Sequence, residues 1–357
     1  MTQKREIRNT LLATVALLCV IGHGESQQKG ITVGSVAAVP RQKTSGFLNV
    51  PPGIDAGSDI PVVIIQGATT GPVLALVAGS HGTEYASIIA LEKLIDRINP
   101  AEISGTVILL PLVNIASFEQ KVPHVNPVDR KSMNRFYPGK ADGTQTERAL
   151  WLITREVVEK CDYLIDYHGG DLDESLRPYA YWAPVGNDKQ DEISRQMALA
   201  FGADHIVIER DQPRDVNASK YLGTTSALRG KPTLAVEAGF SGTTAPDDVS
   251  FLIEGTLSVM RLLKILPGPV QNVAHPVWIE RIAPVSSEKT GIFYPLVQRG
   301  TYTEEGMKIG YVTDYFGKTI YEAYAKEAGV ILYICSVPSM VRGDTIDYVG
   351  VLAGKQP

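Results

Sequence analysis

Short apolar, β-branched runs alternate along this chain with stretches whose apolar residues recur at helical spacing. The runs predict strands over residues 60–66, 73–78, 106–112, 163–167, 205–208 and 233–236. The helical spacing predicts helices over 85–98, 146–160, 190–201, 219–228 and 248–266. In the first of these, Ile88, Leu91, Leu94, Ile95 and Ile98 fall on one face. Strand-helix alternation of this kind predicts an α/β fold, a mostly parallel mixed sheet flanked by helices. Pro267-Gly-Pro269 then breaks the pattern, and glycine-split β-rich runs from Val277 onward predict a small C-terminal all-β domain. The boundaries read as an α/β domain over 28–270 and a β-rich domain over 271–357.

The first 27 residues form a separate unit. Lys4, Arg5 and Arg8 precede an apolar run from Leu11 to Ile21, and small and polar residues follow it. That is the layout of a signal peptide, and it predicts export to the periplasm or the exterior. The run is too short for a comfortable membrane span, which needs about 20 residues. No stable span is expected after leader cleavage. Only Cys161 and Cys335 then remain, far apart in sequence. They permit one disulfide without requiring it, and two small buried apolar residues is the simpler reading.

Composition narrows the function classes. Apolar residues make up 44% of the chain and charged residues 20%, which is enough to bury a core. The net charge of −5 gives no basic footprint for nucleic acid. Oligomeric state is not legible.

Three predicted strand ends carry the polar residues that matter. The apolar run 73–78 stops at Gly79 and delivers His81 and Glu84, the strand at 163–167 ends at His168-Gly-Gly170, and the strand at 233–236 ends at Glu237. An open α/β sheet places its chemistry at strand ends. Two histidines and a glutamate are a known catalytic zinc set with one open position, so His81, Glu84 and His168 predict one zinc ion per chain. Glu237 is then the available general base, able to return its proton to a leaving nitrogen. Asp166 shares a strand face with His168 and can orient a ligand or another site residue, with a solvated strand-end carboxylate as the equal alternative. His124, His205 and His275 lack comparable contexts and read as structural or exposed.

Between about 114 and 147 the chain has little periodicity but holds Arg130, Asn134 and Arg135. Arg135 with Asn134 suits a substrate carboxylate, with a loop-anchoring salt bridge as the alternative. Arg130 is a second candidate, for the substrate or for polarising a scissile carbonyl.

The stretches Gly79-Ser-His-Gly-Thr-Glu84, Asn134-Arg-Phe-Tyr-Pro-Gly139, Ile165-Asp-Tyr-His-Gly-Gly170 and Val236-Glu-Ala-Gly239 occur in that order. Together they resemble the succinylglutamate desuccinylase/aspartoacylase family of the zinc carboxypeptidase-like superfamily. The resemblance implies zinc at His81, Glu84 and His168, acid-base chemistry at Glu237 and carboxylate binding by Asn134 and Arg135. Ser132-Met133 departs from the Asp-Leu that often precedes Asn-Arg in that family.

The expected function is a zinc-dependent amide hydrolase of deacylase type, acting on a small N-acyl amino acid or peptide-like substrate. Two alternatives are a secreted metallocarboxypeptidase and a non-catalytic exported binding protein of the same fold. A serine esterase is disfavoured, because no G-x-S-x-G elbow follows the leader.

Overall fold

In a computed structural model that describes residues 30–356, the strand Thr69–Ala78 is an interior strand of a 12-stranded sheet. The expected signal peptide, residues 1–27, lies outside the described residues. Side chains along this strand alternate between two cores. Leu74, Leu76 and Ala78 enter one, and Val73, Ala75 and Val77 enter the other. Both faces are therefore apolar, which is why the sequence shows a continuous run there instead of alternation.

The first core is closed by the helices Tyr85–Arg97, Asp188–Phe201 and Pro246–Leu262. The second is closed by Gln145–Ile153, which continues into a π-helical turn at Thr154–Val158, and by Leu222 of the short helix Leu222–Ala227. Full burial of each Leu, Ile or Val in these layers contributes about 1.5–3 kcal/mol.

Parallel pairing is concentrated in four neighbouring strands, Ser104–Leu110, Thr69–Ala78, Tyr163–His168 and Thr233–Phe240. On one side Ser58–Gln66 and Gln42–Val50 add antiparallel pairs. On the other, Glu174–Trp182 pairs antiparallel with Thr233–Phe240. The sheet is thus mixed: parallel pairs join the four neighbouring strands and, beyond the antiparallel pair, Glu174–Trp182 to His205–Ile208, so parallel pairing does not predominate throughout. Sequence reading missed the strand Glu174–Trp182, because Pro178 lies inside it and a proline cannot donate to a ladder. The register shifts between Glu237/Tyr179 and Gly239/Leu176, and this irregularity takes up Pro178.

The C-terminal strands continue from this side. Val277–Ser286 pairs parallel with His205–Ile208 and antiparallel with Thr345–Leu352. Gly329–Cys335 pairs with both Thr345–Leu352 and Glu174–Trp182, so the pairings form a closed circuit. A four-stranded sheet, with Lys308–Thr313 and Gly291–Pro295 at its centre, packs a further core including Phe293, Ile309 and Ile346. Cys161 and Cys335 are free and buried. Among the described residues, no helix is long and apolar enough to cross a membrane.

Candidate metal centre

Gly79 adopts φ +73° directly after the strand, and the turn that follows lifts His81 and Glu84 over the sheet's carboxyl edge. Asn114 fastens this turn, its backbone N–H donating to Gly79 O and its side-chain amide to Ser80 O. Glu84 stands at the N-cap of Tyr85–Arg97, yet its side chain makes no capping bond. It turns instead into the site.

There Glu84 meets both histidines. Its Oε1 lies 2.6 Å from His81 Nδ1, and its Oε2 lies 3.1 Å from His168 Nδ1 and accepts the Gly169 backbone N–H at 3.1 Å. Ligand atoms from His81, Glu84 and His168 all fall within 4.8 Å of one another. Burial works against charge on Glu84 (2% exposed), but the two imidazoles hold its carboxyl down at about 2. Two imidazoles and an ionised carboxylate with converging donors fit a divalent cation.

The far nitrogens of both rings are also occupied. His81 Nε2 lies 3.2 Å from Ser132 Oγ, and His168 Nε2 lies 3.4 Å from Asp166 Oδ1. Asn134 Nδ2 lies 3.1 Å from the same His168 nitrogen, while Asn134 Oδ1 has no partner. Turning the amide over lets Oδ1 accept the His168 N–H and leaves Nδ2 as the group without a partner. Asn134 therefore touches the His168 ring as well as lining the cavity. Burial opposes a charged His168, yet Asp166 and Glu84 push its pKa well above the ordinary value.

Glu237 lies within its strand, beside His168 in the parallel register and Tyr179 in the antiparallel one. Burial pushes its carboxyl well above the ordinary range, against the pull of His168 and with Glu84, Glu174 and Asp166 adding to the rise. The Gly169-Gly170 pair permits this proximity. A Cβ on Gly170 would lie 2.5 Å from both Gly239 O and Phe240 Cα.

The triad and Glu237 open into one cavity of about 300 Å³. Arg135 lines its mouth with its guanidinium 5.0 Å over the Tyr221 ring, exposed and outside any ion pair among the described residues. Arg130 is exposed, adopts φ +60° and is not among the lining residues. Sequence reading missed Glu174, Tyr179 and Tyr181, which come from the unrecognised strand, and Tyr333 and Tyr348 from the C-terminal strands. It also left His124 without a role. The His124 ring lies 6.2 Å from that of His81, and its Nε2 is 2.9 Å from Asp173 Oδ1. Burial pulls the other way, but Asp173 and Asp171 push its pKa up to about 9, so it stays cationic near neutrality and is a poor metal donor. Its neighbours Asp171 and Asp173, just past His168-Gly-Gly, were the available signal. His205 bonds Tyr302 OH through Nε2, and His275 is exposed.

A relative from Halomonas elongata, an N-alpha-acetyl-L-2,4-diaminobutyric acid deacetylase, is 28% identical over 311 residues, spanning 84% of this chain and 89% of its own. The fold matches that of a succinylglutamate desuccinylase from Silicibacter sp., with TM-score 0.79, 23% identity and coverage of 89% of this chain and 98% of that one. It also matches the product-bound ectoine utilization protein EutE from Ruegeria pomeroyi, with TM-score 0.79, 24% identity and the same coverage. Residues 70–263 match the model of the succinylglutamate desuccinylase/aspartoacylase catalytic domain. That segment is more than half of the sequence and includes His81, Glu84, His168 and Glu237, and by it the chain belongs to the succinylglutamate desuccinylase/aspartoacylase family.

Proposed function

We propose that this protein is a zinc-dependent amide hydrolase that removes an acyl group from an N-acyl amino acid or a similar small carboxylate-bearing amide. The observation that carries the reading is the placement of Glu237 next to a converging His81/Glu84/His168 set in one small cavity. The Halomonas relative, named as a deacetylase of an N-acetylated amino acid, supports it.

In this reading His81, Glu84 and His168 hold zinc, while Ser132 and Asp166 fix the two imidazole rings from behind. Bound zinc supplies Lewis acidity toward water and the scissile carbonyl. Glu237 takes a proton from the attacking water, whose oxygen bonds the acyl carbon. As the C–N bond breaks, the same carboxyl gives that proton to the leaving nitrogen. Arg135, and Asn134 where its amide is free, hold the substrate carboxylate.

A cavity of about 300 Å³ is at the small end of ligand sites and favours a small amide over a peptide. Tyr333 and Tyr348 wall it from the C-terminal side. Export by the leader over 1–27 is part of the proposal, and N-terminal sequencing of the secreted chain tests it.

The function is tested with a panel of N-acyl amino acids and short peptides, using metal-loaded wild type, chelated wild type and Glu237→Gln. Small amides should be cleaved, chelation should abolish turnover, and Glu237→Gln should keep its metal while losing about 100-fold or more in kcat. Cleavage of C-terminal peptide bonds in place of N-acyl groups would overturn the deacylase reading.

A further inference from the structure

The strand that carries Glu237 and the strand that walls the cavity slip against each other just past the site. Glu237 pairs with Tyr179, but Gly239 pairs with Leu176, so Glu174–Trp182 carries one extra residue over that step. Such a bulge interrupts the ladder and re-aims the side chains beside it. Glu237, Tyr179 and Leu176 all line the cavity. The groups that hold the bulge therefore set where Glu237 points.

Arg299 is one such group. It comes from a turn among the C-terminal strands, where the Gly300 N–H donates to Ile331 O at 2.7 Å and the Ile331 N–H donates to Thr301 O at 2.9 Å. Its guanidinium reaches back to the bulge. Nη1 donates to Leu176 O at 2.6 Å and to Gly239 O at 3.3 Å, the two residues paired on the far side of the slip. The group lies 4.8 Å over the Phe240 ring and pairs at 3.4 Å with Asp248 in the first turn of Pro246–Leu262. A planar guanidinium with several fixed donors can serve two carbonyls, a carboxylate and a ring at once, and a lysine amine lacks that fork. Gly239 O is also one of the atoms against which Gly170 packs. A single carbonyl thus meets both Arg299 and the turn after His168. Arg299 is half-buried and not among the cavity-lining residues, so its route to the reaction is the backbone.

We propose that Arg299 is a positioning residue: its guanidinium fixes the Leu176 and Gly239 carbonyls at the bulge and so sets Glu237 against His168. The proposal rests on the amide-hydrolase reading and adds that the C-terminal strands supply the group that aligns the base. A carboxyl displaced by about 1 Å from the path of its proton can lose about 100-fold in rate while metal and substrate still bind. Asp248 provides the control, because Asp248→Asn removes the ion pair and leaves both carbonyl bonds in place.

The test measures kcat, KM and bound zinc for wild type, Arg299→Met, Arg299→Lys and Asp248→Asn on one N-acyl amino acid, together with amide hydrogen exchange over residues 235–241. Arg299→Met should lose about tenfold or more in kcat, with zinc content kept and KM moved less than about threefold. Arg299→Lys keeps the charge without the fork, and its kcat should fall between those of wild type and Arg299→Met. Asp248→Asn should lower Tm while keeping kcat within about twofold of wild type. Exchange over 235–241 should quicken about tenfold in Arg299→Met, with no change in the helix Tyr85–Arg97. Wild-type kcat in both Arg299 variants overturns the proposal. An equal kcat loss in Asp248→Asn also overturns it, because Arg299 would then act only as a clasp on the helix. If Arg299→Met does not fold, wild-type kcat in Arg299→Lys is enough to reject it. If wild type cleaves no amide, the hydrolase reading fails and the exchange measurement decides: faster local exchange supports the anchored bulge, and unchanged exchange rejects it.

Discussion

Asp166 Oδ1 sits 3.4 Å from His168 Nε2, on the nitrogen opposite the one that faces Glu84. The two residues share a strand, and their i, i+2 spacing puts them on the same face. At that separation the carboxylate favours a proton on Nε2 electrostatically, and Nδ1 is the nitrogen that faces Glu84 and the metal set. Asp166→Ala should therefore weaken zinc binding by roughly 10–100-fold in a chelator competition, with the fold retained. Unchanged affinity would show that Asn134 alone orients the ring.

Gly170 brings two strand ends together. A side chain there meets Gly239 O and Phe240 Cα at 2.5 Å, both backbone atoms that cannot swing aside. Gly170→Ala should separate His168 from Glu237. The expected result is a lower Tm together with a kcat loss larger than the loss of metal affinity, checked by thermal unfolding, turnover and metal titration.

Asp347 lies in the C-terminal core, 0% exposed and in no ion pair among the described residues. Burial pushes its carboxyl up to about 7, against the Val285 backbone and the Lys326 charge. The folded protein thus holds this proton up to a pH where the unfolded chain has lost it. Stability contributed by the proton is complete below the ordinary carboxyl pKa and is lost as pH rises toward 7. Asp347→Asn removes this dependence. Relative to wild type, its stability should be more favourable at pH 8 than at pH 5, measured by urea unfolding at both. A stability difference that does not change with pH would contradict the assignment.

The site was legible where its signals are local. A strand running into Gly79 and then His81 and Glu84 needs only that strand, and the Gly169-Gly170 pair announced a close approach that the Gly239 and Phe240 backbone makes. The position of Glu237 beside His168 is legible for the same reason, although its strand runs on to Phe240. The pocket walls were hidden. Pro178 disguised the strand that supplies Tyr179 and Tyr181, and the irregularity accommodating it depends on a partner some 60 residues away. Ser132 and Asn134 reach their histidines through a segment with little periodicity, so their contacts exist only once the chain is folded. In the fold, the central parallel strands followed from their apolar runs. The antiparallel flanks are set by connections that no local pattern specifies.

The most direct test of the central claim is the zinc content of the purified protein beside that of His81→Ala, with both assayed on a small N-acyl amino acid. The account predicts about one zinc per chain in the wild type, and loss of both metal and hydrolysis in the variant. A wild type that cannot be loaded with metal, or a His81→Ala protein that keeps full activity, would contradict it.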